Sequence, residues 1–191
     1  MVRSSADIIR EESWKRAIEC FGTGAIFQRR ARSLRHRIRI LVFLALGGPL
    51  LLGATVLAFG TKGRSSVLLS ILIPATAIVG IAQICASLWA LVARWDDSLV
   101  EASQSVAENV RLSTDFRDLG VNPPSDLESK FAILAAQYAI RSERDLGQDV
   151  SDKERRRGLR MALRQFHRPC VACGLVPLSE KASDCEVCGS Y

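Results

Sequence analysis

The sequence has few of the residues from which enzyme active sites are usually built. It contains only two histidines, His36 and His167, and both lie among basic residues with no evident catalytic partner. It also lacks a glycine-rich phosphate loop, a His/Glu metal-ligand motif and a nucleophile elbow. We therefore predict that the protein is not an enzyme.

Charged residues are absent from two long stretches, residues 40–61 and residues 65–93, which contain 22 and 29 residues. As helices rising about 1.5 Å per residue they would be ~33 and ~43 Å long, against ~30 Å for the hydrocarbon core of a bilayer. Backbone amides in lipid must be paired within their own segment. We predict two membrane-spanning helices, joined as an antiparallel hairpin by residues 60–64. The alternative, a buried helical hairpin, would need far more soluble chain to cover it.

Acidic residues are absent from residues 29–39, which carry six arginines just before the first apolar stretch. Because basic residues collect on the cytoplasmic side, both termini should face the cytoplasm. Trp89 and Trp95 would then lie at the inner interface, where amphipathic rings are common. The first stretch begins behind a long charged segment, so it does not resemble a cleaved signal peptide. The net charge of +6 suits contact with anionic lipid or a phosphate-bearing ligand.

The overall prediction is an all-α membrane protein with a small C-terminal zinc ribbon. An amphipathic helix over residues 5–22 should be followed by a break at Gly22 and Gly24, and then by a basic helix over residues 26–39. Four regions result: an N-terminal helical segment (1–39), the transmembrane hairpin (40–94), a cytoplasmic helical region (95–168) and the zinc-ribbon tail (169–191).

The cytoplasmic region contains clear helix boundaries. Asp96 and Asp97 can cap a new helix or continue the second span, and the sequence at residues 121–124 should end that helix. Capping boxes beginning at Ser125 and Ser151 should start two more helices, the first of which ends at Gly147. The first carries an apolar stripe, Leu127, Phe131, Leu134 and Tyr138. The second is basic, with Arg155, Arg156, Arg157, Arg160, Arg164 and Arg168, and could meet nucleic acid, lipid head groups or an acidic partner, or be simply solvated.

Small and polar residues share one face of the predicted second span. They stand at helical spacing: Thr76, Gly80, Gln83 and Ser87. One interpretation is that this face packs helix against helix. The other is that it lines a water-filled path, which requires several copies because two helices cannot enclose a pore.

The basic helix before the first span has two interpretations. It is either a topology and lipid-contact segment, or a phosphate-binding ring formed when several subunits bring their arginines together. The candidate phosphate ligands are Arg29, Arg30, Arg32, Arg35 and Arg37. If the ligand is an oligonucleotide, aromatic stacking should help, and the available platforms are Trp14, Phe21 and Phe27.

Four of the six cysteines form one pattern, in which Cys170-x2-Cys173 and Cys185-x2-Cys188 are separated by eleven residues. Each pair is followed by a glycine, as in the two knuckles of a zinc ribbon. We predict a structural zinc ion bound by all four thiolates, with no coordination position left for catalysis. Disulfides and an iron–sulfur cluster are the alternatives, and a cytoplasmic location argues against disulfides. Cys20 and Cys85 stand alone and should be small apolar residues.

This arrangement resembles the SLATT-type membrane effectors of bacterial conflict systems, and the cysteine spacing resembles their mobile-element-borne subset. Hailong-type anti-phage effectors are similar in layout. The resemblance implies a homo-oligomeric pore, such as a tetramer, in the bacterial inner membrane. It also implies a partner nucleotidyltransferase whose nucleotide or single-stranded oligodeoxynucleotide product gates the pore. Opening would depolarise an infected cell and stop phage replication; in Hailong-type systems, a deoxyadenylate product holds the channel shut until infection removes it.

Two other functions are compatible with the sequence. A membrane-tethered interaction module would use the ribbon and the basic helix to recruit a protein or nucleic acid. A small transporter or assembly factor is the third possibility.

Overall fold

The computed structural model describes residues 4–59 and 65–191, although inside the helices the side chains of residues 49, 51, 52, 55, 56, 58, 59, 65–69, 72 and 73 lie outside this description. The described residues form five α-helices and no strand. The helices are α1 (Ser5–Phe59), α2 (Ser65–Val92), α3 (Trp95–Val121), α4 (Leu127–Leu146) and α5 (Asp152–Gln165). The all-α prediction is confirmed, whereas the predicted hairpin loop lies outside the described residues.

The chain divides into two compact units. The first unit comprises Met1–Arg30, described from residue 4, together with Glu101–Tyr191. The second unit is Ala31–Val100. The first part of α1, as far as Arg30, therefore belongs to one folded body with α3 from Glu101 onward, α4, α5 and the cysteine-rich tail.

The core of the first unit joins α1, α3 and α4. Its fully buried members are Ala17 and Cys20 of α1 and Leu112 and Phe116 of α3. The predicted stripe of α4 packs against them through Phe131, Leu134 and Tyr138. Burial raises the pKa of the Cys20 thiol to about 12, which agrees with its prediction as a small apolar residue.

The predicted break in α1 is wrong, because the helix runs through Gly22 and Gly24 without interruption. A Cβ at Gly22 would lie 3.2 Å from the backbone of Gly158 in α5, and a Cβ at Gly158 would lie 2.6 Å from the Gly22 carbonyl oxygen. Glycine costs ~1 kcal/mol relative to alanine inside a helix. Here that cost is offset by the close crossing of α1 and α5.

Of the two predicted capping boxes, only the second is formed. Ser151 Oγ accepts from the Glu154 amide and Glu154 accepts from the Ser151 amide, as predicted. At the first box, the N-cap of α4 is Asp126, one residue later than the predicted Ser125, and it makes no side-chain cap hydrogen bond. Glu128 is instead used by Ser5 Oγ, which donates to it at 3.0 Å. The predicted ends of α3 at Val121 and of α4 at Gly147 are confirmed.

A buried polar network also connects α3 to α4. The Asp145 carboxylate accepts from Ser105 Oγ at 2.9 Å and from Asn109 Nδ2 at 2.7 Å, and it pairs with Arg141. The Arg141 guanidinium also contacts Glu108 at 3.3 Å. Because every charged member has partners, the network can be buried without leaving an unpaired charge.

The second unit exposes an unusual amount of apolar side chain. Large aliphatic and aromatic residues are exposed along α1, including Phe43, Leu46 and Leu50, and along α2, including Ile78, Ile84 and Leu91. Within the described residues, Pro74–Val92 is the one segment long and apolar enough to cross a membrane, with a mean hydropathy of 1.9 and none of it buried.

Helix α3 is a new helix and does not continue α2. Ala93 and Arg94 separate the two, and Arg94 adopts a left-handed conformation with φ of 49°. Asp97 in the first turn of α3 accepts from Arg94 Nε at 2.7 Å. The Arg37 guanidinium lies 5.7 Å from the Trp95 ring centroid, while Trp89 is exposed.

Candidate metal centre

Two similar turns present the four cysteines of the tail. In the first turn the Gly174 amide donates to the Cys170 carbonyl at 2.8 Å, and in the second the Gly189 amide donates to the Cys185 carbonyl at 2.8 Å. Each turn therefore closes by the same backbone bond and directs two sulfur atoms to one side. The tail, predicted as a zinc ribbon, forms no β-hairpin, because residues 169–191 contain turns and no strand. Pro177 in the spacer, which lacks an amide donor, disfavours a strand there.

The two glycines are required for different reasons. Gly174 has φ of +69°, in the left-handed region that favours glycine. A Cβ at Gly189 would collide with Ser183, whose carbonyl oxygen would lie only 2.5 Å away. The first glycine thus supplies a backbone conformation, and the second supplies space for the packing of the tail on itself.

The sulfur geometry fits a tetrahedral ion. Cys170 Sγ lies 4.0 Å from Cys185 Sγ, Cys173 Sγ lies 4.0 Å from Cys188 Sγ, and all four sulfur atoms lie within 4.8 Å of one another. Metal–sulfur bonds of about 2.3 Å in tetrahedral geometry require sulfur atoms ~3.8 Å apart. A small contraction of the cluster is therefore enough to bind an ion, and the prediction that these four residues form a potential metal site is confirmed.

The local environments shift the thiols in opposite directions. Backbone amides of Cys188 and Val187 stabilise the Cys185 thiolate and lower the pKa of that thiol to about 7. Burial raises the pKa of the Cys188 thiol to about 12. Since a metal binds thiolates, binding at neutral pH should release protons.

The cluster is held against α1 and α5. Buried Cys170 and Cys188 pack with Leu163 of α5, and Ile18 of α1 and Leu159 of α5 lie against them. The metal centre thus belongs to the packing of the first unit.

The basic helix α5 provides much of the attachment of the tail. Arg156 Nη1 donates to the Ser190 carbonyl at 3.1 Å, Arg164 pairs with Glu180 at 3.3 Å, and the Arg157 guanidinium lies 5.6 Å from the Tyr191 ring. Arg160 is buried and donates to Ser179 O at 2.8 Å and to Ser183 Oγ at 2.9 Å. Sequence reasoning missed this function. The acidic residues of the tail were a signal that it could bind the basic helix, but backbone carbonyl acceptors leave no pattern in the sequence.

The predicted phosphate ligands divide into two groups. Arg30 binds Glu154 through both carboxylate oxygens at 2.8 Å and also donates to the Gln148 and Asp149 carbonyls. This bond lowers the pKa of Glu154 to about 2, and Arg30 is therefore engaged inside the first unit. The others are exposed: Arg29, Arg32, Arg35 and Arg37.

The predicted stacking platforms are packed within the first unit. Phe27 is only 1% exposed. Trp14 and Phe21 both make edge contacts with Phe166, with ring centroids 6.0 and 5.5 Å apart, and the Arg168 guanidinium lies 4.7 Å from the Trp14 centroid. The structure therefore brings Trp14 and Phe21 together around Phe166 instead of around a free surface.

The predicted pore-lining residues lie on one face of α2 in the second unit. Thr76, Gly80 and Gln83 are half-buried, and Ser87 is exposed. A Cβ at Gly80 would have no neighbour within 4 Å among the described atoms. No described side chain therefore fills the space beside Gly80.

Residues 10–191 match the model of a family described as Mobilome CxxCx(11)CxxC protein. The match covers almost the whole chain, and the chain belongs to this family. No curated protein matches the sequence, and no solved structure matches it.

Proposed function

We propose that this protein is an oligomeric membrane pore of a bacterial anti-phage system, which depolarises the cytoplasmic membrane when it opens. The observation that carries the proposal is the apolar surface of the second unit, where each residue of Pro74–Val92 is exposed or half-buried. Water solvates such a surface poorly, and large exposed apolar patches mark contact with lipid or protein. Two spans, with both termini in the cytoplasm, account for both uncharged stretches.

Several copies are needed to form the pore. Two helices per chain cannot surround water, but the half-buried face with Gly80 and Gln83 can line a shared path in a ring of subunits. The space beside Gly80, which no described atom fills, would accommodate either water or a helix of a sister chain. Gln83 is the residue whose replacement distinguishes these possibilities, since its amide can hydrogen-bond to water in a pore.

The gating ligand in this proposal is a nucleotide or single-stranded oligonucleotide, made by a partner nucleotidyltransferase. Exposed Arg32, Arg35 and Arg37 of the second unit supply charge for phosphate contacts, and a ring of subunits would multiply them. Arg30, Phe27, Trp14 and Phe21 are engaged in packing and are not included in the proposed ligand site. To gate the pore, the ligand must bind one pore state more tightly than the other.

Zinc is the metal we propose for the cysteine cluster. Four thiolates in tetrahedral geometry suit zinc or an iron–sulfur cluster, and zinc is the usual ion where two CxxC turns form a closed structural site. Purified full-length protein should contain about one zinc per chain. Replacing both Cys170 and Cys185 with serine should abolish it, as measured by elemental analysis.

The pore is tested by expression and by conductance. Expression in bacteria should collapse the membrane potential, which a potential-sensitive dye reports. Gln83→Leu should change single-channel conductance in lipid bilayers, whereas Ile84→Leu, at the exposed neighbouring position, should not. Harmless overproduction both with and without phage would contradict the proposal. A Gln83→Leu variant that changes only oligomer stability would assign that face to packing.

A second candidate, a membrane-tethered interaction module, is favoured by the apolar tip of the tail. Val171, in the first cysteine turn, is 96% exposed, and Leu178, in the spacer between the two turns, is 92% exposed. Replacing both with serine should abolish function under this candidate while leaving membrane currents unchanged. The pore proposal instead requires membrane currents, so their presence or absence distinguishes the two candidates.

A further inference from the structure

A buried cation lies beside the cysteine cluster without a carboxylate partner. Arg160 is 9% exposed, and no carboxylate forms an ion pair with it in the described part of the chain. The other buried arginine of the first unit, Arg141, has Asp145 as its partner. A buried unpaired charge is unfavourable unless something nearby compensates it.

The groups around Arg160 all belong to the tail. Nε donates to the Ser179 carbonyl at 2.8 Å, while Nη1 donates to Ser183 Oγ at 2.9 Å. The same Nη1 lies 3.4 Å from the Cys188 carbonyl oxygen and 3.9 Å from Cys188 Sγ. Three of these acceptors are neutral oxygens, so the cluster sulfur is the acceptor that can carry charge.

A divalent ion bound by four thiolates leaves the cluster with a net charge of about −2. Cys188 is more buried than Cys185, the other cysteine of its turn. Water therefore screens the charge on this side of the cluster poorly. A compensating positive charge is therefore needed beside Cys188, and the Arg160 guanidinium lies within hydrogen-bonding reach of this sulfur.

We propose that Arg160 is the counter-charge of the metal-loaded cluster and a positioning residue that raises its metal affinity. The inference rests on the metal-binding capacity of the four cysteines and is independent of the pore. Because N–H···S bonds and a nearby positive charge stabilise a thiolate cluster, Arg160 also makes the bound thiolates less reactive toward electrophiles.

The test compares zinc affinities of full-length variants in detergent, using competition with a chromophoric chelator. Arg160→Met should weaken zinc binding about 10–100-fold, the range found for outer contacts of metal ligands. The matched control is Arg164→Met, which removes an arginine of the same helix that pairs with Glu180 of the tail but does not reach the cluster. It should bind zinc almost as tightly as the wild type.

Two conservative variants separate charge from scaffolding. Arg160→Lys keeps the charge, and Ser183→Ala removes one hydrogen bond while keeping Arg160; both should stay close to the wild type. If Arg160→Met misfolds, these two variants still decide. Loss of zinc affinity in both, or wild-type affinity in a folded Arg160→Met variant, overturns the proposal.

A second readout is the rate of zinc release during alkylation of the loaded protein with iodoacetamide. Arg160→Met should release zinc faster than the Arg164→Met control, because its thiolates are less stabilised. Equal rates would show that Arg160 only anchors the chain and does not act on the cluster.

Discussion

Two buried arginines of the first unit differ in the charge they meet. Arg141 pairs with Asp145 in a network that also includes Ser105 and Asn109. Arg160 meets the carbonyls of the tail and a cysteine sulfur. Neither partner set could be predicted, because burial of an arginine depends on contacts between residues far apart in sequence. The cysteine site itself was predictable, because the ligands are close in sequence and their spacing is restrictive.

Removing the carboxylate of Asp145 should strongly destabilise the first unit. Asp145→Ala leaves Arg141 buried beside fewer negative groups, and breaking a buried pair in this way costs ~3–5 kcal/mol. Asp126→Ala is the control, because its pair with Lys130 is half-exposed and should contribute ~0–1 kcal/mol. Denaturant unfolding of the two full-length variants, followed by circular dichroism, measures the difference. Equal midpoints would contradict the network's importance.

The Arg30–Glu154 pair predicts a pH dependence. Its bond lowers the pKa of Glu154 from 4.5 to about 2 in the folded protein. The folded pKa lies below the unfolded one, so this stabilisation is present above pH 4.5 and is lost as the pH falls toward 2. Glu154→Gln should therefore lose less stability than the wild type between pH 4.5 and 2. Parallel unfolding curves across this pH window would show that the pair contributes nothing.

Helix boundaries were only partly predictable from local patterns. The box at Ser151 forms because the Glu154 carboxylate accepts from the Ser151 amide even while it binds Arg30. The box at Ser125 does not form, and its Glu128 instead bonds to Ser5, more than a hundred residues away. Gly22 was predicted as a break because glycine is a poor helix former, yet it lies where α1 crosses Gly158 of α5.

The crossing of α1 and α5 should be intolerant of any side chain. Gly158→Ala would place a Cβ 2.6 Å from the Gly22 carbonyl oxygen and 2.8 Å from Ile26. Overpacking of this kind typically costs ~1–3 kcal/mol. Gly147→Ala is the matched control, since its nearest neighbour would be 3.5 Å away and its φ of −69° suits alanine. Melting temperatures equal to that of the wild type in both variants would show that α1 and α5 can move apart to admit a methyl group without loss of stability.

The arginines of α5 show how tertiary contacts change the meaning of a charge pattern. A run of basic residues in sequence is compatible with lipid, nucleic acid or solvent. In the folded chain, Arg156, Arg157, Arg160 and Arg164 all contact the cysteine-rich tail. The exposed arginines of α1 in the second unit are therefore better candidates for an external anion.

The proposed membrane location depends on the opposite kind of evidence, an apolar surface that the described residues leave uncovered. Composition alone predicted it, because uncharged stretches of 22 and 29 residues are long enough as helices to cross a bilayer. The number of subunits depends on contacts between copies, which local sequence patterns do not encode. Crosslinking of the detergent-purified protein should give a ladder of defined size; a monomer alone would contradict the pore.

The most direct test of the pore is electrical. Purified wild-type protein, added to planar lipid bilayers, should produce discrete current steps whose size changes in Gln83→Leu and stays constant in Ile84→Leu. Bilayers that remain as quiet as protein-free membranes at every protein concentration would contradict the account.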